Sequence, residues 1–288
     1  MPERQNNIED LPIQRISPEI EPDHTTSGLK EMWAHRNLLK DFVLHDIRER
    51  YTGGSFGFFW AFITPFIELM TYTFVFHGLI GVNFSQSGDW RNYALFLFCG
   101  MVCWQGLADG ISHATTSVSQ YGHLIKKVHF PSILLPSFHI VSATINQSIR
   151  FIVLLCIALV LGEGISWHIA LVPVVMLLQF FFTLGIGLLM SVSQVYLRDT
   201  NHWLNAFLLM WMFVTPIFYP ASSYPVKYML LLQLNPLAHL VGIYRELILN
   251  HTLPHPNSFV ILLVISMFIF VVGQSVFHHH KSHFSDYI

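Results

Sequence analysis

The chain has 288 residues, of which 53% are hydrophobic and 11% charged, with a formal net charge of −2. Soluble domains carry roughly 25% charged residues, so an ordinary water-soluble domain is excluded and an integral membrane protein is indicated. With no basic tract and no net positive charge, nucleic acid is not an expected partner; membrane lipids are.

Residues 1–28 are polar and contain Pro2, Pro12, Pro18 and Pro22. They lack an apolar core followed by small residues, so a disordered cytoplasmic tail is expected and not a cleaved signal. Residues 29–52 come next, and 29–50 hold no Gly or Pro. Met32, Trp33, Leu39, Phe42, Val43 and Ile47 recur at three- and four-residue spacing, with Lys40, Asp41, Arg48 and Glu49 elsewhere on the wheel. That pattern predicts an amphipathic helix lying at the inner membrane surface. Gly53 and Gly54 let the backbone turn, Ser55 can cap the next helix, and Phe56, Phe58, Phe59 and Trp60 open it at interface depth. The corner converts a surface helix into a spanning one. Such a helix either anchors the chain or transmits movement.

Residues 53–277 hold six stretches that meet the requirement of about 20 apolar residues per span. They run over 58–82, 93–115, 134–162, 168–195, 203–220 and 257–277. The fifth is short and ends where Pro216 and Pro220 break the helical ladder. Between the second and third spans, residues 117–136 read "SVSQYGHLIKKVHFPSILLP". Leu124, Ile125, Val128 and Phe130 stand beside Lys126 and Lys127, with His123 and His129 flanking them, and Pro131 stops the run. A compact helix, apolar on one side and basic on the other, suits either a docked protein or a solvated loop. Between the fifth and sixth spans, "VKYMLLLQL" and "PLAHLVGIYRELIL" are each too short to cross and meet at Asn235-Pro236. They predict an external re-entrant hairpin. Residues 278–288, with His278, His279 and His280, close the chain as a cytoplasmic tail.

Orientation follows from the basic residues near the spans. With both termini cytoplasmic, Lys40, Arg48, Arg50, Lys126, Lys127, Arg198 and Lys281 lie inside, against Arg91, Lys227 and Arg245 outside. This obeys the positive-inside rule. Cys99, Cys103 and Cys156 sit in apolar runs, and no further ligand completes a metal site. Polar groups inside spans cost energy in lipid and face a cavity or a partner. Glu68 falls near the midplane of the first span, Asp109 toward the inner end of the second, and Arg150, one turn after Asn146 and Gln147, somewhat nearer the outside in the third. Glu68 and Arg150 are expected to pair or to line a hydrated groove.

"RERYTGGSFGFFWAFITPF", residues 48–66, resembles the Arg-Tyr-x-Gly-Ser-x-x-Gly-x-x-Trp-x-x-x-x-Pro signature of ABC transporter permeases that export polysaccharides. Arg50, Tyr51, Gly53, Gly54, Ser55, Gly57, Trp60 and Pro65 carry it, with one extra residue near the glycines. "LFLFCGMVCWQGLADGISHATTSVSQYGHLIKKVHFP", "YLRDTNHWLNAFLLMWMFVTPIFYP", "LNPLAHLVGIYRELIL" and "FHHHKSHFSDYI" are similar to that family's second span with coupling helix, fifth span, outer hairpin and tail, in that order. The resemblance implies an all-α permease of the O-antigen, teichoic-acid or capsule type, closest to O-antigen, in a bacterial inner membrane. It also implies a homodimer joined to two ABC ATPase subunits that carry ATP and Mg. His123, Leu124, Ile125, Lys126, Lys127, Val128, His129 and Phe130 would then enter an ATPase cleft, with Arg48, Arg50 and Tyr51 beside it.

The sequence agrees with that division of labour, since no G-x-x-x-x-G-K-[ST] loop occurs. This chain is expected to bind no cofactor and to catalyse nothing itself. Its cargo would be a lipid-linked polysaccharide. Aromatic rings stack on sugar faces, and 25 Phe, 7 Trp and 10 Tyr are available. The expected path is Phe59, Trp60, Phe62, Phe66, Glu68, Trp104, Asn146, Arg150, Phe207 and Trp211, although such rings serve lipid contact equally well. A drug or small-lipid exporter of the same fold is one alternative. A membrane-embedded glycan transferase is another, and it would need a carboxylate or His constellation that Arg245, Glu246, His239, His251 and His255 do not make.

Overall fold

The computed structural model describes residues 28–51, 57–79, 81, 90–127, 130–162 and 164–287. The glycine corner at 53 and 54, Ser55, Phe56, Val128, His129 and the tail 1–27 lie outside the described residues. The described chain is helical and begins with α1 (Gly28–Ala34) and α2 (Arg36–Tyr51), the expected interface element. Its apolar side faces protein as well as the membrane surface. Phe42 is buried and meets the rings of Tyr121, Phe130 and Phe138 at 6.5, 5.8 and 5.3 Å.

After the corner, a 3-10 turn leads into α3 (Trp60–Thr73), which continues as a π-helical turn to Leu79. Pro65 lies inside α3, where its missing N–H is tolerated in a spanning helix because neighbouring groups resatisfy the backbone. This span is thinly covered: Phe62, Phe66, Ile67 and Met70 are exposed. By contrast α4 (Trp90–Gln120) is apolar on nearly every side and buried on nearly every side, as the axis of a bundle must be. The short α5 (Gly122–Lys127) hangs from its end.

Two long helices flank the axis, α6 (Leu134–Val160) and α7 (Val172–Tyr196). Then come α8 (Thr200–Val214), α9 (Met229–Leu234), α10 (Pro236–Ile248), α11 (Pro256–His280) and α12 (Phe284–Tyr287). α7 and α11 touch backbone to backbone at Gly185 and Gly273, where any Cβ would overlap the facing main chain. Without a hydrophobic force between helices in lipid, such small-residue contacts hold spans together by close packing.

Among the described residues, five helical stretches are long and apolar enough to cross a membrane: Gly57–Leu79, Trp90–Gln120, Leu134–Val160, Trp167–Tyr196 and Pro256–His283. The multi-pass fold is therefore as expected, with one difference. The expected fifth span, 203–220, falls on α8, which has only 15 residues and is about 22 Å long at ~1.5 Å per residue, short of the roughly 30 Å hydrocarbon core. α9 and α10, the expected re-entrant hairpin, are bent by 85° and reach span length only when counted together. The helix ends at Thr215 because Pro216 has no N–H to continue it.

The closing residues are packed. Phe284 is fully buried against Phe277 at 5.3 Å, and Lys281 meets Glu31 of α1 at 3.0 Å.

Candidate functional site

The two elements expected to face a motor protein lie together. In α5, Leu124 is buried and Ile125 partly so, while His123 and Lys126 are exposed. Phe130 turns inward beside Phe42. The amphipathic split of the segment is thus real, although the Lys127 side chain, Val128 and His129 lie outside the described residues. Leu124 and Phe130 share one apolar cluster with Met32, Phe42 and Val43 of the interface helices, Phe284 of α12 and the first turns of α6. Through this cluster α5 packs on both α2 and the base of α6.

α2 is also clasped by polar groups. Asp46 accepts from His139 Nδ1 at 3.1 Å, from Arg50 Nε at 2.8 Å and from the Ser142 hydroxyl. Burial alone raises the Asp46 carboxyl, but the His139 hydrogen bond, the Arg50 charge and Ser142 outweigh it and hold the group well below the usual carboxylate range. The aspartate is anionic, and the interface helix is locked to the base of α6 by charge-assisted bonds. Nothing in the spacing of α2 pointed to Asp46. The signal present was His139 and Ser142, polar residues three apart in an apolar run.

Beyond the clasp, Tyr51 donates to Asn146 Oδ1 at 3.0 Å, and Arg150 Nη1 reaches Asp109 Oδ2 at 3.5 Å. Burial pushes the Tyr51 hydroxyl up despite the nearby Arg150 and Arg50 charges, so it stays protonated and a donor. Arg50, Tyr51, Trp60, Thr64, Asp109, Asn146 and Arg150 surround a cavity of about 170 Å³ at the foot of α3. This places Arg150 beside Arg50 and Tyr51 of α2 and Trp60 of α3. The expected Glu68–Arg150 pair is not formed: Glu68 instead accepts from Gln105 Nε2 at 2.7 Å, between α3 and α4.

The expected aromatic set does not fall in one place within the single chain. Trp60 joins the polar cavity, and Phe59 is largely exposed beside it in sequence. Phe62 and Phe66 line an apolar groove of about 580 Å³ between α3, α4 and α6. Trp104, Phe207 and Trp211 form a separate group, with Trp211 at 6.4 Å from Trp104 and 5.4 Å from Phe207. Trp211 also donates to Asn235 at the hairpin turn, at 2.9 Å, which ties α8 to α10.

Two further sites escaped sequence reasoning. Gln179 accepts from Gln147 at 2.7 Å and from Tyr244 at 2.9 Å, and donates to the Cys103 carbonyl at 2.9 Å, so one amide joins α4, α6, α7 and α10. Arg245, expected in an outer loop, is buried over the Phe96 ring at 3.3 Å. It donates to the carbonyls of Pro216 at 2.7 Å, Ile217 at 2.9 Å and Phe96 at 3.2 Å. With Tyr244 on Gln179 and Trp211 on Asn235, this side chain pins the hairpin to the bundle.

With this geometry in view, the sequence comparisons are specific. Residues 43–249 match the ABC-2 type transporter family, and the chain belongs to it. It is a membrane-embedded, multi-pass protein of that family. The chain is similar to the O-antigen export system permease protein RfbA of Myxococcus xanthus, 28% identical over 262 residues, which is 90% of this chain and 98% of that protein. It is also similar to two such proteins of Klebsiella pneumoniae, at 27% over 253 residues and 26% over 252, each covering 87% of this chain and 94% of the relative.

Proposed function

We propose that the chain is the transmembrane subunit of an ATP-driven exporter that moves a lipid-linked polysaccharide of the O-antigen type across a bacterial inner membrane. Two copies would form the conduit with two separate ABC ATPase subunits, both termini lying in the cytoplasm. The observation that carries the reading is near full-length similarity to three permeases named for O-antigen export. The shape of α5 supports the ATPase half: its apolar residues are packed inward and His123 and Lys126 are left outward, as a docked helix requires. On ATPase closure, α5 would carry α2 and the base of α6 with it and rock the spans.

The test is affinity purification of the full chain in mild detergent from cells that also express the neighbouring ATPase frame, paired with staining of surface polysaccharide after either frame is deleted. Recovery of the ATPase and loss of surface polysaccharide in both deletions are expected. Recovery of the chain without any ATPase, with surface polysaccharide unchanged, would contradict the reading.

A further inference from the structure

The foot of α3 carries an unsatisfied demand for an anion. Arg50 spends its Nε on Asp46, while its Nη2 is buried with no hydrogen-bond acceptor among the described residues. A buried, unpaired guanidinium nitrogen is costly, and its occurrence in a native fold calls for a missing acceptor. Arg150 faces the same cavity and, among the described residues, is held by one 3.5 Å contact to Asp109, which leaves most of its planar fork for a ligand. Two guanidinium groups and the Asn146 amide nitrogen converge on about 170 Å³, against one lining carboxylate, with the Tyr51 hydroxyl fixing the amide by donating to its Oδ1. Arginine forks of this kind match phosphate oxygens.

The apolar groove starts next to this cavity on the same two helices. On α3 the cavity is lined by Trp60 to Pro65 and the groove by Phe62 to Thr73; on α6 the cavity ends at Arg150 and the groove begins at Ile152. Its walls carry no charged side chain. From Phe62 to Thr73 the groove runs about 16 Å along the helix, close to the thickness of one leaflet, roughly half of a 30 Å core. A polar, cationic pocket continued by a carbon-lined groove within a membrane span fits an amphiphile with its head at the corner and a chain along the span.

We propose that the α3–α6 seam holds one glycerophospholipid of the surrounding leaflet, its phosphate on Arg50, Asn146 and Arg150 and one acyl chain in the groove. The occupant would close the gap beside the thinly covered first span.

Native mass spectrometry of the purified full chain tests this with three probes: phosphatidic acid, diacylglycerol of the same chains, and inorganic phosphate. One phosphatidic acid molecule is expected to be retained per chain, with diacylglycerol retained at least about tenfold less. Arg150→Gln and, separately, the groove-filling Cys156→Trp are each expected to weaken retention about tenfold. Equal retention of phosphatidic acid and diacylglycerol by the unaltered chain would overturn the proposal without need of any variant. Inorganic phosphate binding as tightly as the lipid would also overturn it, in favour of a free-anion site. Failure of the ATPase to co-purify would leave these outcomes unchanged, so the two readings fail separately.

Discussion

Asp46 is the residue on which the interface helix depends most directly, because three donors from two helices converge on its carboxylate. Asp46→Asn leaves those donors facing a neutral amide, and a loss of about 1–3 kcal/mol is expected, read as a lower thermal unfolding midpoint in detergent. The folded-state carboxyl is depressed, so its stabilisation is complete above the unfolded value of about 3.9 and fades as pH falls through the folded one. The gap between wild type and Asp46→Asn should persist at about pH 5 and shrink as pH falls below about pH 4. A gap that closes near neutrality would show that another group holds the helix. Arg245 makes the matching case for the hairpin. Arg245→Gln cannot reach Pro216, Ile217 and Phe96 at once, and leaving buried carbonyls unmet costs about 1–3 kcal/mol each. Faster proteolysis between residues 220 and 236 is the expected sign.

At the scale of elements, helix contacts are set by residues that lack a side chain. Gly273→Ala places a methyl on the Gly185 carbonyl, so α7 and α11 must part, at a cost of about 1–3 kcal/mol. Gly242 meets nothing within 4 Å, and Gly242→Ala should be neutral or gain up to about 1 kcal/mol from helix propensity. Unfolding midpoints of the two variants moving in the same direction would contradict this packing. What the sequence made legible follows the same division. Hydropathy located the spans, and the three- and four-residue spacing located α2 and α5, because both signals are local. Arg150 meets Asp109 and not Glu68, because Asn146, one turn earlier on α6, faces Tyr51 at the end of α2, a long-range contact that spacing along one helix does not announce. Arg245 looked like a loop charge because its partners are main-chain carbonyls, which no residue type announces. α8 looked like a full span because apolar composition continues through Pro216 after the helix has ended.

For the whole molecule, one apolar cluster joins α5, α2, the base of α6 and α12, and that continuity is what a motor bound at α5 would use. Leu124→Asp should break the joint while leaving the bundle folded, since Leu124 lies at the cluster's edge on a six-residue helix. The expected result is a normal protein level with surface polysaccharide strongly reduced.

Labelling of Lys126→Cys tests the central claim most directly. The background is Cys156→Ser, since Cys99 and Cys103 are fully buried. A membrane-impermeant maleimide should label this position in inside-out vesicles, and bound ATPase should protect it. Labelling only in right-side-out vesicles, or labelling indifferent to the ATPase, would contradict the account.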